Sequence, residues 1–118
     1  GEIQKVTANI GRSLNKVPNE NTISFVQKEN DSTWFINKLN MENMQVTRIV
    51  QTLRGSEDHI WTAKGVILMG KDNVLYKFDP KKDKNWKEAA DLGKLGISKF
   101  NRLAINPVND KLAVVEVK

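Results

Sequence analysis

The chain has 118 residues, no cysteine, and 19 Lys and Arg against 14 Asp and Glu, which gives a formal net charge of +5. This composition excludes collagen, coiled coils, disulfide scaffolds, thiolate zinc sites and thiol catalysis. No stretch approaches the ~20 apolar residues that a membrane helix needs, so we expect no membrane span.

Acidic and basic residues are interleaved along most of the chain, and only the segment 81–87 is locally basic, with Trp86 embedded in it. Such a segment can contact nucleic acid or an anionic surface. The preceding Asp79-Pro80 favours a solvated hairpin loop instead, and we predict no nucleic-acid partner.

The first half of the chain predicts a meander of strands. Residues 1–5 lack the apolar region of a signal peptide, and residues 3–8 predict a lone strand. Three β-rich runs follow, at 22–26, 33–39 and 46–53. The loops between them are short enough to require antiparallel hairpins.

The second half of the chain repeats this succession of short strands and turns. A strand at 66–69, a turn at 70–73 and a strand at 74–78 precede a weaker strand at 86–92, where propensity alone also allows a helical turn. In the 74–78 strand, Leu75 and the two aromatic residues lie on opposite faces. The glycines here fit turns that need positive φ, namely Gly65, Gly70, Gly93 and Gly96.

Internal self-similarity is the strongest signal in the sequence. Three segments, beginning near residues 12, 57 and 101, each read as a short strand, a turn rich in Pro, Gly or Asn, and a second strand. Their spacing of roughly 40–45 residues is typical of a four-stranded propeller blade. The sequence therefore predicts an all-β fold of antiparallel blades. The predicted segments are an outer strand of a preceding blade (3–8), a blade (11–53), a second blade (56–92), a linker (93–96) and two inner strands of a further blade (100–117).

Two motifs give these segments a family resemblance. The run Asn-Pro-Val-Asn-Asp-Lys-Leu-Ala-Val-Val at 106–115 resembles the Pro-Asp-Gly-Lys-x-Leu-Ala-Phe core of the WD40-like repeats in TolB-type β-propellers, with a departure in the turn. The run Asn-Val-Leu-Tyr-Lys-Phe-Asp at 73–79 is similar to the third strand of that family. Residues 55–62 are similar to its innermost strand. The sequence as a whole most closely resembles the C-terminal part of secreted TolB-like proteins of the Bacteroidetes type.

The resemblance implies a ring of six blades, of which this chain supplies about half. It also implies a periplasmic or secreted location. Because blades bury their apolar faces only against other blades, we expect the ring to be completed by a second copy of the chain, as a homodimer, or by further blades of a longer protein. An envelope protein is a further expected partner.

The only histidine, His59, stands beside Glu57 and Asp58. Glu57 and His59 can share one strand face and bind a cation or act as acid and base. One imidazole and one carboxylate make an incomplete metal site, which favours a structural or solvent-facing role. We predict no metal and no cofactor.

Other candidate chemistry is weaker. The serines lack a Gly-x-Ser-x-Gly context. The carboxylate pairs Glu57-Asp58 and Asp83 with Glu88 allow glycoside chemistry but fit scattered surface charges. Three tryptophans could form a surface on which a sugar ring stacks: Trp34, Trp61 and Trp86. In propeller blades, aromatic residues more often fill the space between sheets. Of the three tryptophans, Trp86 is the one expected to be exposed.

By elimination, the rim of a central channel is the best candidate site. In the three overlaid segments, polar residues of mixed charge lie where each innermost strand begins: Arg12, Ser13, Glu57, Asp58, His59, Asn101 and Arg102. These residues converge on one axis if the ring closes. We therefore expect a non-enzymatic scaffold of the bacterial envelope that binds a protein or a ligand. The alternative is a propeller hydrolase or lyase that acts on carbohydrate or peptide, with His59 at the channel.

Overall fold

The structure is a computed structural model, and it describes residues 10–106, 108 and 111–117, with the side chains of Arg12, Ser13 and Asn101 excepted. Across these residues the fold is all-β and antiparallel, and the one helical element is a 3-10 turn, Leu92–Leu95. Within the same residues, no helix is long and apolar enough to cross a membrane. The predicted strand at 3–8 lies outside the described residues.

In the described part of the chain, ten strands form three sheets, and within each sheet every strand pairs with its neighbour in sequence. The first sheet contains β1 (Ile10–Lys16), β2 (Thr22–Lys28), β3 (Trp34–Asn40) and β4 (Val46–Gln51). The second contains β5 (His59–Trp61), β6 (Ile67–Lys71), β7 (Val74–Phe78) and β8 (Lys87–Asp91). The third contains β9 (Phe100–Ile105) and β10 (Leu112–Glu116). The predicted hairpins and the weak strand before Leu92 are confirmed.

The turn between β6 and β7 is shorter than the sequence predicts. Gly70 and Lys71 belong to β6, and only Asp72 and Asn73 make the turn, with Asp72 at a φ of 56°. Gly70 is therefore not a turn residue. A Cβ at this position would lie under 3.0 Å from the ring atoms of Phe100, so the ring needs a glycine beneath it. The prediction of a positive φ is also wrong for Gly93. It is confirmed for Gly65 and Gly96, which have φ values of 85° and 82°.

A first apolar cluster fills the space between the first and second sheets. Its buried members are Val26, Ile36, Ile67, Met69 and Phe78. All three tryptophans pack against this cluster, in agreement with a space-filling role. Trp86 is half-buried rather than exposed: its ring lies 5.6 Å from that of Phe78, and its Nε1 donates to the carbonyl of Gln51 at 2.8 Å.

A second cluster lies between the second and third sheets, and consists of Leu75, Leu92, Phe100 and Leu103. Leu75 and Phe78 belong to different clusters although both are in β7, as alternation predicts. The second sheet therefore buries both of its faces, one against each neighbouring sheet. Among the described strands, none of the second sheet pairs with a strand of either neighbour. Side-chain packing therefore joins the three sheets, together with a few hydrogen bonds from side chains and loops.

The first strands of the three sheets adjoin one another. β5 lies against β1 on one side and β9 on the other, and the remaining strands of each sheet follow outward in sequence order. Over residues 10–106 and 111–117, no sheet closes on itself. The assignment of these sheets to propeller blades remains a prediction.

The basic segment 81–87 lies in the loop between β7 and β8, where Lys81, Lys82 and Lys84 are exposed. Asp83 holds this loop: its carboxylate accepts the N–H of Asp79 at 2.9 Å and pairs with Lys87 at 3.0 Å. The segment is thus the hairpin loop that the sequence predicts.

We predict that Gly70→Ala destabilises the chain by about 1–3 kcal/mol, the usual cost of overpacking a core. The cause is the Phe100 ring, so the same exchange introduced into a Phe100→Ala background should cost less than about half as much. Urea unfolding of the two single variants and the double variant measures the coupling. Additive losses would show that the ring does not lie on Gly70.

Candidate functional site

One edge of the sheets carries two of the seven predicted rim residues, Glu57 and Asp58. Since β5, β6 and β7 are antiparallel neighbours, β5 and β7 begin where β6 ends. The N–H of Phe100 donates to the carbonyl of Asp72 at 3.0 Å, which brings the start of β9 to the same place. We call this the rim edge. Glu57 and Asp58 directly precede β5 and therefore lie on it.

Glu57 connects the rim edge to the first sheet. Its Oε1 lies 3.3 Å from Nζ of Lys28, and its side chain is 19% exposed. Its Cγ passes over Gly11, where a Cβ would be only 3.2 Å away. The carboxylate is thus held in an ion pair between two sheets.

Asp58 connects the second sheet to the third. Its Oδ2 accepts the backbone N–H of Leu103 at 2.9 Å. Beside it, Oγ of Ser56 donates to the carbonyl of Gly70 at 2.6 Å. The second predicted rim carboxylate therefore also joins adjacent sheets.

A cavity of about 270 Å³ opens at the rim edge. Glu57 and Asp58 line it together with three exposed cations, Arg54, Lys71 and Lys99. A second depression, of about 290 Å³, places Asp58 beside the exposed Arg102. Asp58 is thus common to both openings, and both can admit a small polar ligand.

His59, in contrast, lies in the core. It is 1% exposed, and its Nε2 lies 2.8 Å from Oγ of Ser24, which is fully buried. Ser24 Oγ also accepts a hydrogen bond from Nε1 of Trp61 at 2.8 Å. The side-chain amide nitrogen of Asn15 lies 3.5 Å from the same imidazole nitrogen. These contacts form a polar network between the first and second sheets, which we call the His59 network.

Burial lowers the pKa of His59 to about 4, because an imidazolium ion loses its hydration there. At neutral pH the ring is uncharged. Nε2 of His59 lies within hydrogen-bond distance of the Ser24 hydroxyl and the Asn15 amide nitrogen, and the tautomer of the ring sets which atom donates. Among the residues that the structure describes, Nδ1 has no hydrogen-bond partner.

The Ser24–His59 pair has the spacing of a nucleophile and its general base. Two features distinguish it from an active centre. Neither side chain reaches solvent, and within the described residues no carboxylate accepts a hydrogen bond from Nδ1. A hydrolase needs an accessible hydroxyl and an oriented base. The pair therefore fits a buried structural contact.

The other candidate groups are dispersed. Arg12 and Ser13 lie in β1 and Asn101 in β9, but their side chains lie outside what the structure describes. No group of three His, Asp or Glu side chains that could hold a metal ion occurs in the described part of the chain. The bond from the Asp79 N–H, and then Lys87, lower the pKa of Asp83, so this carboxyl stays ionised and does not suit a general acid.

The sequence alone misses the partners of the predicted residues. Lys28 and Ser24 belong to β2, far along the chain from Glu57 and His59. Two of the three cations of the rim cavity could have been found, because Lys71 ends β6 and Lys99 directly precedes β9, and both of these strand ends lie on the rim edge. A scan for known protein families, a comparison with curated proteins and a comparison with solved structures each find no match for the chain.

We predict that the His59 imidazole titrates with a midpoint near pH 4. The measurement is a pH series of imidazole resonances by NMR, which is unambiguous because the chain has one histidine. A midpoint near the usual value of about 6.5 would place the ring in solvent and contradict its burial.

The same shift predicts a pH dependence of stability. The unfolded chain takes up the proton at about pH 6.5 and the folded chain only at about pH 4, so stability falls as the pH drops through this window. The expected loss is about 2 kcal/mol between pH 7 and pH 5. His59→Gln removes the titrating group and should flatten the urea-unfolding profile over that interval, whereas equal slopes for the two proteins would refute this explanation.

Proposed function

We propose that this chain is a non-enzymatic scaffold made of TolB-like propeller blades, which binds a protein or a ligand in the bacterial envelope. Three features support the proposal: two complete four-stranded meanders, a third sheet of two strands, and first strands that adjoin in sequence order. A propeller places the innermost strands of its blades around one axis in this way. The family assignment rests on the sequence resemblance.

The observation that carries the non-enzymatic role is the burial of His59, which is 1% exposed. His59 is the one side chain whose ordinary pKa suits acid–base work near neutral pH. In the core it meets no substrate. The rim carboxylates, Glu57 and Asp58, are engaged in holding adjacent sheets together, which suits a binding surface built on a rigid frame.

One observation favours the alternative, a propeller hydrolase. Oγ of Ser24 lies 2.8 Å from Nε2 of His59, within reach for proton transfer. For this pair to act, the first and second sheets would have to separate and admit a substrate. The two functions therefore differ in whether Ser24 can be reached.

We predict that a fluorophosphonate probe, which esterifies activated serine hydroxyls, does not modify Ser24 in the folded chain. Intact mass and peptide mapping give the readout, with a serine protease labelled in parallel as the positive control. Labelling at Ser24 that disappears in His59→Gln would overturn the scaffold proposal and establish the hydrolase.

The third sheet supplies the argument for association. β10 pairs with β9 on one side, and among the described residues no strand pairs with its other edge. Leu112 and Val115 expose apolar surface along β10, Val115 to 54%. An unpaired strand of this kind is a template for another chain. We propose that a second copy, or further blades of the same protein, covers it.

We predict a sedimentation mass of twice the 13.4 kDa of one chain. Val115→Lys should shift the equilibrium toward the single chain, because a charged side chain on an edge strand opposes pairing. The matched control is Leu95→Lys, since Leu95 is 76% exposed but lies in the 3-10 turn rather than on the edge. A well-folded single chain at every concentration, or equal effects of the two substitutions, would contradict the proposed interface.

A further inference from the structure

Another cavity, of about 380 Å³, lies at the edge of the sheets opposite the rim edge. Three connections surround it: the β1–β2 turn, the β5–β6 turn and the β7–β8 loop. We call it the hairpin cavity. It spans the first and second sheets, and none of the predicted rim residues whose side chains the structure describes lines it. Its volume is at the lower end of small-molecule sites, so it suits a ligand of one or two rings.

One part of the wall of the hairpin cavity is apolar and includes an aromatic ring. Trp61, Ile49 and Val17 line it, with Pro18 and Pro80 at the mouth. The only polar atom of the Trp61 side chain, Nε1, donates inward to Ser24 at 2.8 Å. The part of the half-buried indole that lines the cavity is therefore carbon. Such a surface stacks on flat apolar groups.

The charges at the mouth are positive. The one carboxylate that lines the cavity, Glu20, accepts from Nζ of Lys38 and from Oγ1 of Thr22, each at 3.2 Å. Lys64 and Lys81 are exposed, and the structure gives neither ammonium group a hydrogen bond or ion pair to any described residue. Two free cations thus stand beside an apolar wall, with the neighbouring anion already neutralised.

The three connections are held by their own hydrogen bonds. In the β5–β6 turn, the N–H of Gly65 donates to Thr62 O at 3.0 Å and the N–H of Thr62 to Val66 O at 2.8 Å. In the β7–β8 loop, the N–H of Lys81 donates to Oδ1 of Asp79 at 3.0 Å. The backbone that carries both free lysines is therefore ordered before any ligand arrives, which lowers the entropic cost of binding.

We propose that the hairpin cavity binds a small aromatic carboxylate, with the ring against Trp61 and the carboxylate between Lys64 and Lys81. The apolar wall recognises the ring, and the two ammonium groups recognise the charge. A ring without a charge leaves the lysines unused, and a charge without a ring leaves the wall in water. The proposal goes beyond the scaffold function and holds whether or not a ring of blades is completed, because all of its residues belong to the first two sheets.

The probe is benzoate, with benzyl alcohol as the neutral ring and acetate as the charge without a ring. Each is titrated into the ¹⁵N-labelled chain and followed by NMR. We expect benzoate to shift the amides of residues 61–65 and 80–82 and the Trp61 indole N–H, with a dissociation constant of about 1–10 mM, the range for so small a ligand. Benzyl alcohol and acetate should each bind at least fivefold more weakly. Equal binding of benzoate and benzyl alcohol, or shifts confined to other residues, would overturn the proposal.

Substitutions then test the two cations. Lys64→Gln and Lys81→Gln should each weaken benzoate binding about two- to fivefold, as expected for exposed charge contacts. The matched control is Lys94→Gln, an exposed lysine in the 3-10 turn, which should leave the affinity unchanged. Amide spectra of the variants verify that the fold is retained. A control variant that weakens binding as much as the other two would show only a general charge effect and refute the site.

Discussion

The sheet of β5–β8 carries apolar side chains on both faces, so it needs a neighbouring sheet on each side. Phe78 and Met69 enter the cluster shared with the first sheet, and Leu75 enters the cluster shared with the third. At roughly 25 cal/mol per Å² of apolar surface, this burial is the main force that joins the sheets. The first strands adjoin because each sheet presents its neighbour with the same kind of face, and among the described residues β10 pairs only with β9.

Polar groups fix the spacing between the packed sheets. The His59 network bridges the first two sheets in the core, where a neutral imidazole and a buried hydroxyl satisfy each other. At the rim edge, Glu57 joins the first two sheets and Asp58 joins the last two. Buried polar pairs of this kind disfavour any displacement that would leave one partner alone. The residues that the sequence offers as candidates for acid–base chemistry thus hold neighbouring sheets together. The exposed cations at the cavities are other residues.

Much of the fold could be predicted from the sequence, because alternation and turn residues act over a few positions. The strands of the first two sheets and their hairpins follow from such local patterns, and so do the opposite faces of Leu75 and Phe78. The depth of His59 and the role of Gly70 could not be predicted. His59 is buried by Ser24, 35 residues away, and Gly70 is required by a ring on another sheet. The residues that meet between sheets are far apart in sequence, so a local sequence pattern does not predict their contacts.

The central claim is that the described sheets are part of a larger ring, completed by association. Small-angle scattering tests it most directly, because it reports mass and dimensions together. The account predicts two copies per particle with a radius of gyration of about 17–18 Å, as expected for a compact body of twice this length. A particle of one copy with a radius near the 14.6 Å of the single chain, unchanged over a wide concentration range, would contradict it.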